Sequence, residues 1–271
     1  MKRIVLSRKG FDSKFGGKAS PIFSNDKIFS IPIPQKEKSP HKYQDINFNG
    51  VTCVDAFTEA DILKFKADDY CHYDPFLNSK EGLFGQVSGA QKELENGKVS
   101  VGDIFLFFGW FKKYFIKGKD LHHIFGWLQI DEIIKGSENI KDFLKTKKLY
   151  HPHGFEDTSR YINNTLYVGS KKLKINKKLT SLNGYGYFKQ THPDLILTSN
   201  LHTRSMWKLP KEYFKNTNDV NKSVFVNRLN WTDPEKFLVD TNKGPGQEFI
   251  LDCENYPKLT DWVLKLIKNN Y

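Results

Sequence analysis

The chain has 271 residues, with 42 Lys and Arg against 31 Asp and Glu, for a formal net charge of +11. At that length, with 38% apolar and 14% aromatic residues, it can bury a real core, which excludes a disordered chain. The charge favours an anionic partner, a nucleotide or DNA, although a general excess of lysine over arginine carries part of it.

Cys53, Cys71 and Cys253 lie far apart with no C-x-x-C, so neither a disulfide framework nor a cysteine zinc site is indicated. Only Ile4-Val5-Leu6 follow Met1-Lys2-Arg3 before polar residues and charge return, too short a run for a signal-peptide core. No apolar run approaches the ~20 residues of a membrane span. The expectation is a cytoplasmic protein with no membrane partner.

In chain order, Ile4-Val5-Leu6 reads as a buried strand running into Ser7-Arg8-Lys9-Gly10-Phe11-Asp12-Ser13, then Gly16-Gly17 and Ser20-Pro21-Ile22. Such a loop at a strand's C-terminal end suits a phosphate: glycines let backbone N–H groups come close, Arg8 can fork onto two oxygens, and Lys9 acts as a point charge. It carries neither G-x-x-x-x-G-K-[ST] nor G-x-G-x-x-G. The competing reading is a tight turn with solvated Arg8 and Lys9 and with Asp12 capping a backbone N–H.

Residues 30–34 read as an edge strand, because proline cannot donate into a central ladder, and residues 32–42 as a Pro- and Lys-rich connector. Residues 48–54 read as a short strand and 57–65 as a helix capped by Thr58. His72 and Asp74 stand two apart in His72-Tyr73-Asp74-Pro75. An extended segment points both to one face, as an acid–base pair needs; the alternative is a plain turn before Pro75.

Residues 87–94 read as a helix ended by Gly97, and residues 100–103 as a turn. Residues 104–111 are apolar on both faces and should form a central strand, returning as an antiparallel partner at 123–130. Gly109 and Gly126 inside this pair mark a bulge or a close approach of another backbone. Residues 138–145 read as a short helix, 165–168 and 195–198 as strands, and 205–210 as irregular. Residues 260–267 form an amphipathic helix with Trp262, Val263, Leu266 and Ile267 inward. Helices and strands do not alternate regularly. The expected fold is one α+β domain over residues 1–271, with a mixed or mainly antiparallel, partly barrel-like sheet and peripheral helices.

Among further candidates, Asp12 suits a base or a metal ligand. Gln86 and Gln247-Glu248 suit a base edge, with a Glu248–lysine pair as the alternative. His151 and His153 flank Pro152 and with His122 or His123 would make a transition-metal site; ordinary turn residues are the competing reading. Lys171, Lys172, Lys174 and Lys177, with residues 145–148, would meet nucleic-acid phosphates beside the rings of Tyr185, Tyr187 and Phe188. Arg204 would reach another phosphate. A solvated strand explains the lysine run equally well.

Eight segments in order, Leu6 to Asp12, His72 to Pro75, Phe84 to Gln86, Gly102 to Phe111, His123 to Gln129, His151 to His153, Asn164 to Tyr167 and Gly246 to Phe249, together resemble the nucleotide modification associated domain 3 family of phages and bacteria. The resemblance runs essentially end to end and implies a role near nucleotide or DNA-base modification, which is a context and not a reaction. A Gly-Asp turn into an apolar strand, followed by Ile124-Phe125-Gly126-Trp127-Leu128-Gln129-Ile130, is also similar to the PUA, ASCH and EVE group of base-recognising barrels.

The expected site lies among the loops at 8–17, 72–75 and 151–153. Asp12, His72 and Asp74 would act in catalysis. Ser7, Arg8, Lys9, Gly10, Gly16 and Gly17 would hold a phosphate or nucleotide, with Gln86, His151, His153, Asn164 and Gln247. A nucleotide donor and a divalent metal are both compatible with this set. The expected function is an enzyme acting on a nucleotide or base in a phage-related modification or defence system. The competing class is a non-catalytic reader, whose aromatic pocket in the 104–130 hairpin, with Trp110 or Trp127, would accept a flipped base. Convergence of the three loops in one cleft separates the two.

Overall fold

Strands β1 (Arg3–Arg8), β2 (Leu83–Gln86), β3 (Ile104–Lys112), β4 (Leu121–Lys135), β5 (Thr165–Gly169) and β6 (Glu248–Asp252) form the main path of an eight-stranded sheet, in the spatial order β6-β1-β3-β4-β5-β2, with Ser20–Pro21 added beside β3 and Tyr185–Tyr187 beside β4. The computed structural model describes all residues except 78–79, 156–157, 159–160, 176–177, 216–222, 228 and 244–246, so Lys177 and Gly246 lie outside the described residues. The fold is mixed α+β. Pairing of β1 with β3 is parallel (Ile4 beside Ile104, Arg8 beside Phe108), and the β6–β1, β3–β4, β4–β5 and β5–β2 pairs are antiparallel.

Strand β3 sits near the middle of the path because both of its faces are apolar, and it is covered on both. On one face Phe105 and Phe107 meet Phe84 at 4.8 and 5.0 Å between ring centroids. On the other, Phe108 meets Trp207 at 5.0 Å and Phe249 at 6.0 Å. Gly109 and Gly126 have the backbone neighbours expected of them. A Cβ at Gly109 would press on Lys9 O, and one at Gly126 on Gly186 O, beside a bulge between Ile124 and Gly126.

Bulges re-aim a strand, and β4 carries a second register shift between Ile130 and Glu132. Past these shifts the path curls, so that Gln86 on the last strand donates through Nε2 to Glu248 Oε1 on the first, at 2.6 Å. The ends of the path meet through side chains, and no ladder closes it into a barrel among the described residues. The candidate site lies at this seam.

A second apolar core, with Phe11, Tyr43, Phe57 and Ile62, packs under the segment after β1. It contains helix α1 (Cys53–Glu59), which starts earlier than the spacing suggests. Thr52, not Thr58, caps it: Thr52 Oγ1 accepts from Asp55 N while Asp55 Oδ2 accepts from Thr52 N. Residues 48–54 are therefore a two-residue strand pair running into a helix. The 32–42 connector is stitched at both ends, with Ile33–Pro34 and His41–Lys42 on either side of strand Tyr70–His72.

Helices α2 (Ser88–Asn96), α3 (Ser137–Lys147), α4 (Lys211–Phe214) and α5 (Leu259–Asn270) lie around the sheets, α2 stopping at Gly97 and α5 burying Trp262, Val263, Leu266 and Ile267 as expected. Two further expectations fail. Residues 195–198 form the end of a 3-10 turn with single bridges, whereas Met206–Lys208, expected to be irregular, is a strand paired with Leu238–Asp240. No helix among the described residues is long and apolar enough to cross a membrane.

Candidate active site

The loop after β1 is anchored by Phe11, 1% exposed, whose ring lies 5.5 Å from Phe65 and 6.5 Å from both Tyr43 and Phe57. Gly10, Gly16 and Gly17 all have positive φ, and a Cβ at Gly16 would overlap the Phe11 ring. Most of the loop's N–H groups are spent internally. Arg8 N donates to Gln247 O, Lys9 N to Phe108 O, Phe11 N to Ile31 O, Asp12 N to Phe15 O and Gly17 N to Asp12 O. Asp12 Oδ1 takes Lys14 N and Phe15 N. An anion here would be met chiefly by side chains.

Arg8 is the available cation. Its guanidinium lies 4.0 Å from Asp12 Oδ2, and its buried Nε has no hydrogen-bond partner. Lys9 is committed: its amine lies 3.2 Å from Glu248 Oε1 and 4.7 Å from the centre of the Phe84 ring. The same oxygen accepts from Ser7 Oγ at 3.0 Å and from Gln86 Nε2 at 2.6 Å. Glu248, 1% exposed, thus gathers three candidate ligands around one buried carboxylate; the β1–β6 register, which sets Ser7 beside Glu248, is what puts it there. The expected Glu248–lysine pair is therefore present, with Lys9, whose side chain is largely buried rather than on the surface.

The second group centres on Asp74. His72 ends the strand beside Ile33. Its Nε2 lies 3.7 Å from Asp74 Oδ2, and His153 Nε2 lies 3.8 Å from the same oxygen. His151 Nε2 lies 3.2 Å from Oδ1, which also accepts from Gly85 N at 3.1 Å. A Cβ at Gly85 would fall inside the His153 ring, so glycine is what lets that imidazole lie on β2. Burial alone would raise the Asp74 carboxyl, but the hydrogen bond from His151 holds it well below the usual carboxylate range. Burial pushes His153 down to about 3, against the opposing pull of Asp74, and keeps it neutral.

Arg8, Lys9, Gly10 and Asp12 from the first loop, His72 and Asp74 from the second and His153 from the third border one cleft of about 210 Å³, with Gly85, Gln86, Tyr161 and Gln247. His151 and Asn164 stand behind it, bonded to Asp74 and to His153 Nδ1. Gly16 and Gly17 shape the loop without bordering the cleft. Reasoning from sequence missed Gly85 as a packing requirement and Tyr161, whose ring lies 5.2 Å from His153. A lone tyrosine in a polar stretch carries no signal of its own.

Other candidates lie elsewhere. Lys171 pairs with Glu81 at 2.9 Å, Lys174 with Asp131 at 2.8 Å, and Lys172 with Ser181 O and Asn183 on its own hairpin. Arg204 lies 4.2 Å over the Trp110 ring, and with Arg8 borders a second hollow of about 590 Å³. Trp127 is core, donating to Asn183 O. His122 accepts from Trp207 Nε1 at 2.9 Å, and His123 sits between Ile124 O and Thr191 Oγ1, so neither joins His151 and His153.

The model of the nucleotide modification associated domain 3 family matches residues 3–252. The chain belongs to that family. The matched span contains every residue bordering the cleft, and the family's description ties the chain to nucleotide modification. No curated protein and no solved structure matches it.

Proposed function

We propose that this member of the nucleotide modification associated domain 3 family is a cytoplasmic enzyme that acts on a nucleotide or a DNA base, within a phage-related modification or defence system. Its active site would be the cleft beside Asp74. The observation that carries this reading is the convergence of Arg8, Asp12, His72, Asp74 and His153, from three segments distant in sequence, on one cleft. A fold needs no such gathering of titratable groups around the buried Asp74 and His153 side chains, whereas acid–base or metal-assisted chemistry does.

At about 210 Å³ the cleft is smaller than the roughly 300–1,000 Å³ of most ligand sites, which suits a phosphate and part of a sugar rather than a whole dinucleotide. Arg8 also borders the larger hollow with Arg204, so a strand entering the cleft would continue there. Arg8 would meet phosphate, Asp12 would orient Arg8, and the Asp74 cluster would perform the chemistry. The reader alternative has less support, because Trp127 is core and Arg204 covers Trp110.

The test is incubation of pure protein with single-stranded DNA, duplex DNA and free nucleotides, followed by nucleoside mass spectrometry and a gel shift on the same samples. A changed nucleoside mass that Asp74→Asn abolishes is expected. Retarded DNA with unchanged nucleosides would overturn the enzyme reading in favour of the reader.

A further inference from the structure

The hydrogen bonds around Asp74 fix which nitrogen of each imidazole carries a proton. Asn164 Nδ2 donates to His153 O at 2.8 Å and to Ser137 Oγ at 3.0 Å, so the amide oxygen is what faces His153 Nδ1, at 2.8 Å. Nδ1 must therefore be the donor, and Nε2 is the nitrogen that faces Asp74 Oδ2. The same reasoning holds for His72. Gln35 Nε2 donates to Lys38 O at 3.4 Å, which turns Oε1 toward His72 Nδ1 at 3.3 Å, so Nδ1 is the donor and Nε2 is the nitrogen that faces Asp74 Oδ2.

His151 has the opposite tautomer. Its Nδ1 accepts from His153 N at 3.3 Å, so its Nε2–H donates to Asp74 Oδ1 at 3.2 Å. With Gly85 N, this satisfies Oδ1. Oδ2 is left facing two imidazole nitrogens at 3.7 and 3.8 Å, beyond hydrogen-bond range. Three ligand atoms that converge without hydrogen-bonding one another leave a gap suited to a cation.

We propose that His72 Nε2, Asp74 Oδ2 and His153 Nε2 bind one divalent transition-metal ion, with its remaining coordination positions open to the cleft. The three ligand atoms lie within 4.8 Å of one another. Metal–ligand bonds of about 2.0–2.2 Å would require each to move by only a few tenths of an ångström. Two imidazoles and one carboxylate select zinc- or iron-like ions over magnesium and calcium, which prefer oxygen. Gln35, Asn164, His151 and Gly85 supply the outer hydrogen bonds that hold such ligands in orientation. All three ligand residues border the same cleft as Arg8, so a water or substrate oxygen on the metal would stand beside the proposed phosphate site.

The site goes beyond the nucleotide reading and does not depend on it. The test is titration of the full-length, chelator-stripped protein with Co²⁺, read by its visible absorption, and with Zn²⁺ by calorimetry. One equivalent should bind, weakened at least about 100-fold by His72→Ala and about 10-fold by Gln35→Ala, and unchanged by His192→Ala on the surface. Circular dichroism checks that each variant is folded; if His72→Ala is not, half-buried Gln35 carries the test. No stoichiometric binding, or affinity unaffected by the folded cluster variants, would overturn the proposal. Because no nucleotide is present, that failure would leave the nucleotide reading standing, and absent DNA turnover would leave the metal site standing.

Discussion

Gly85 shows how closely the cluster is built at the scale of single residues. Gly85→Ala drives a methyl group into the His153 ring, and overpacking of this kind costs about 1–3 kcal/mol. Chemical denaturation should register that loss together with weaker Co²⁺ binding; a stable variant that binds Co²⁺ normally would show that His153 is not held by this contact. Glu248 makes a second case. Glu248→Ala leaves the largely buried Lys9 amine without its counter-charge and should destabilise by about 3–5 kcal/mol in urea. A loss under about 1 kcal/mol would mean that Lys9 finds solvent instead. Arg8, His72, Asp74 and His153 were legible in the sequence because short polar motifs stand out against apolar strands. The role of Glu248 was not: its partnership with Ser7 and Gln86 spans 241 and 162 positions and exists only through strand register and sheet curl.

At the scale of elements, the loop that presents Arg8 is an extension of the second core. Phe11→Ala should cost about 3–5 kcal/mol and release Arg8 from the cleft, so that nucleotide affinity falls even at temperatures where the variant stays folded. Unchanged affinity in the folded variant would show that the loop holds its shape without this anchor. The capping box of α1 is separable from the site, and Thr52→Ala should cost only about 1 kcal/mol in thermal denaturation. Strands β3 and β4 were legible from their aromatic runs, and α2 from Gly97. The start of α1 was not, because Val51-Thr52-Cys53-Val54 has strand-like composition and only the reciprocal Thr52–Asp55 bonds make it a helix start. Met206–Lys208 was hidden for a related reason: its pairing with Leu238–Asp240 is what makes it a strand.

The curl of the whole sheet brings β1, β2 and β6 to one seam, and no local pattern announces it. The same packing buries His122 and His123, whose side chains burial holds down to about 3 and about 4 from an ordinary 6.5. In the unfolded chain both take up protons as pH falls below 6.5, while in the folded chain they stay neutral. Stability is therefore complete above pH 6.5 and falls toward pH 4 by about 1.4 kcal/mol per pH unit for each histidine. Denaturation midpoints from pH 7 to pH 4.5 should show that decline, and a flat profile would mean that these histidines are not held neutral. On the function proposed above, the seam would also be the surface that meets nucleic acid, since Lys171 and Lys174 are already paired and Arg8 is not fully engaged. The decisive measurement is the affinity of a single-stranded oligonucleotide for Arg8→Ala compared with a Lys171, Lys172 and Lys174 triple-alanine variant. Loss of a bidentate phosphate contact should weaken Arg8→Ala by about 10-fold or more at fixed salt, with the triple variant changed less. Strong weakening by the triple variant, with Arg8→Ala unaffected, would place the nucleic acid on the basic hairpin and contradict an active site at the seam.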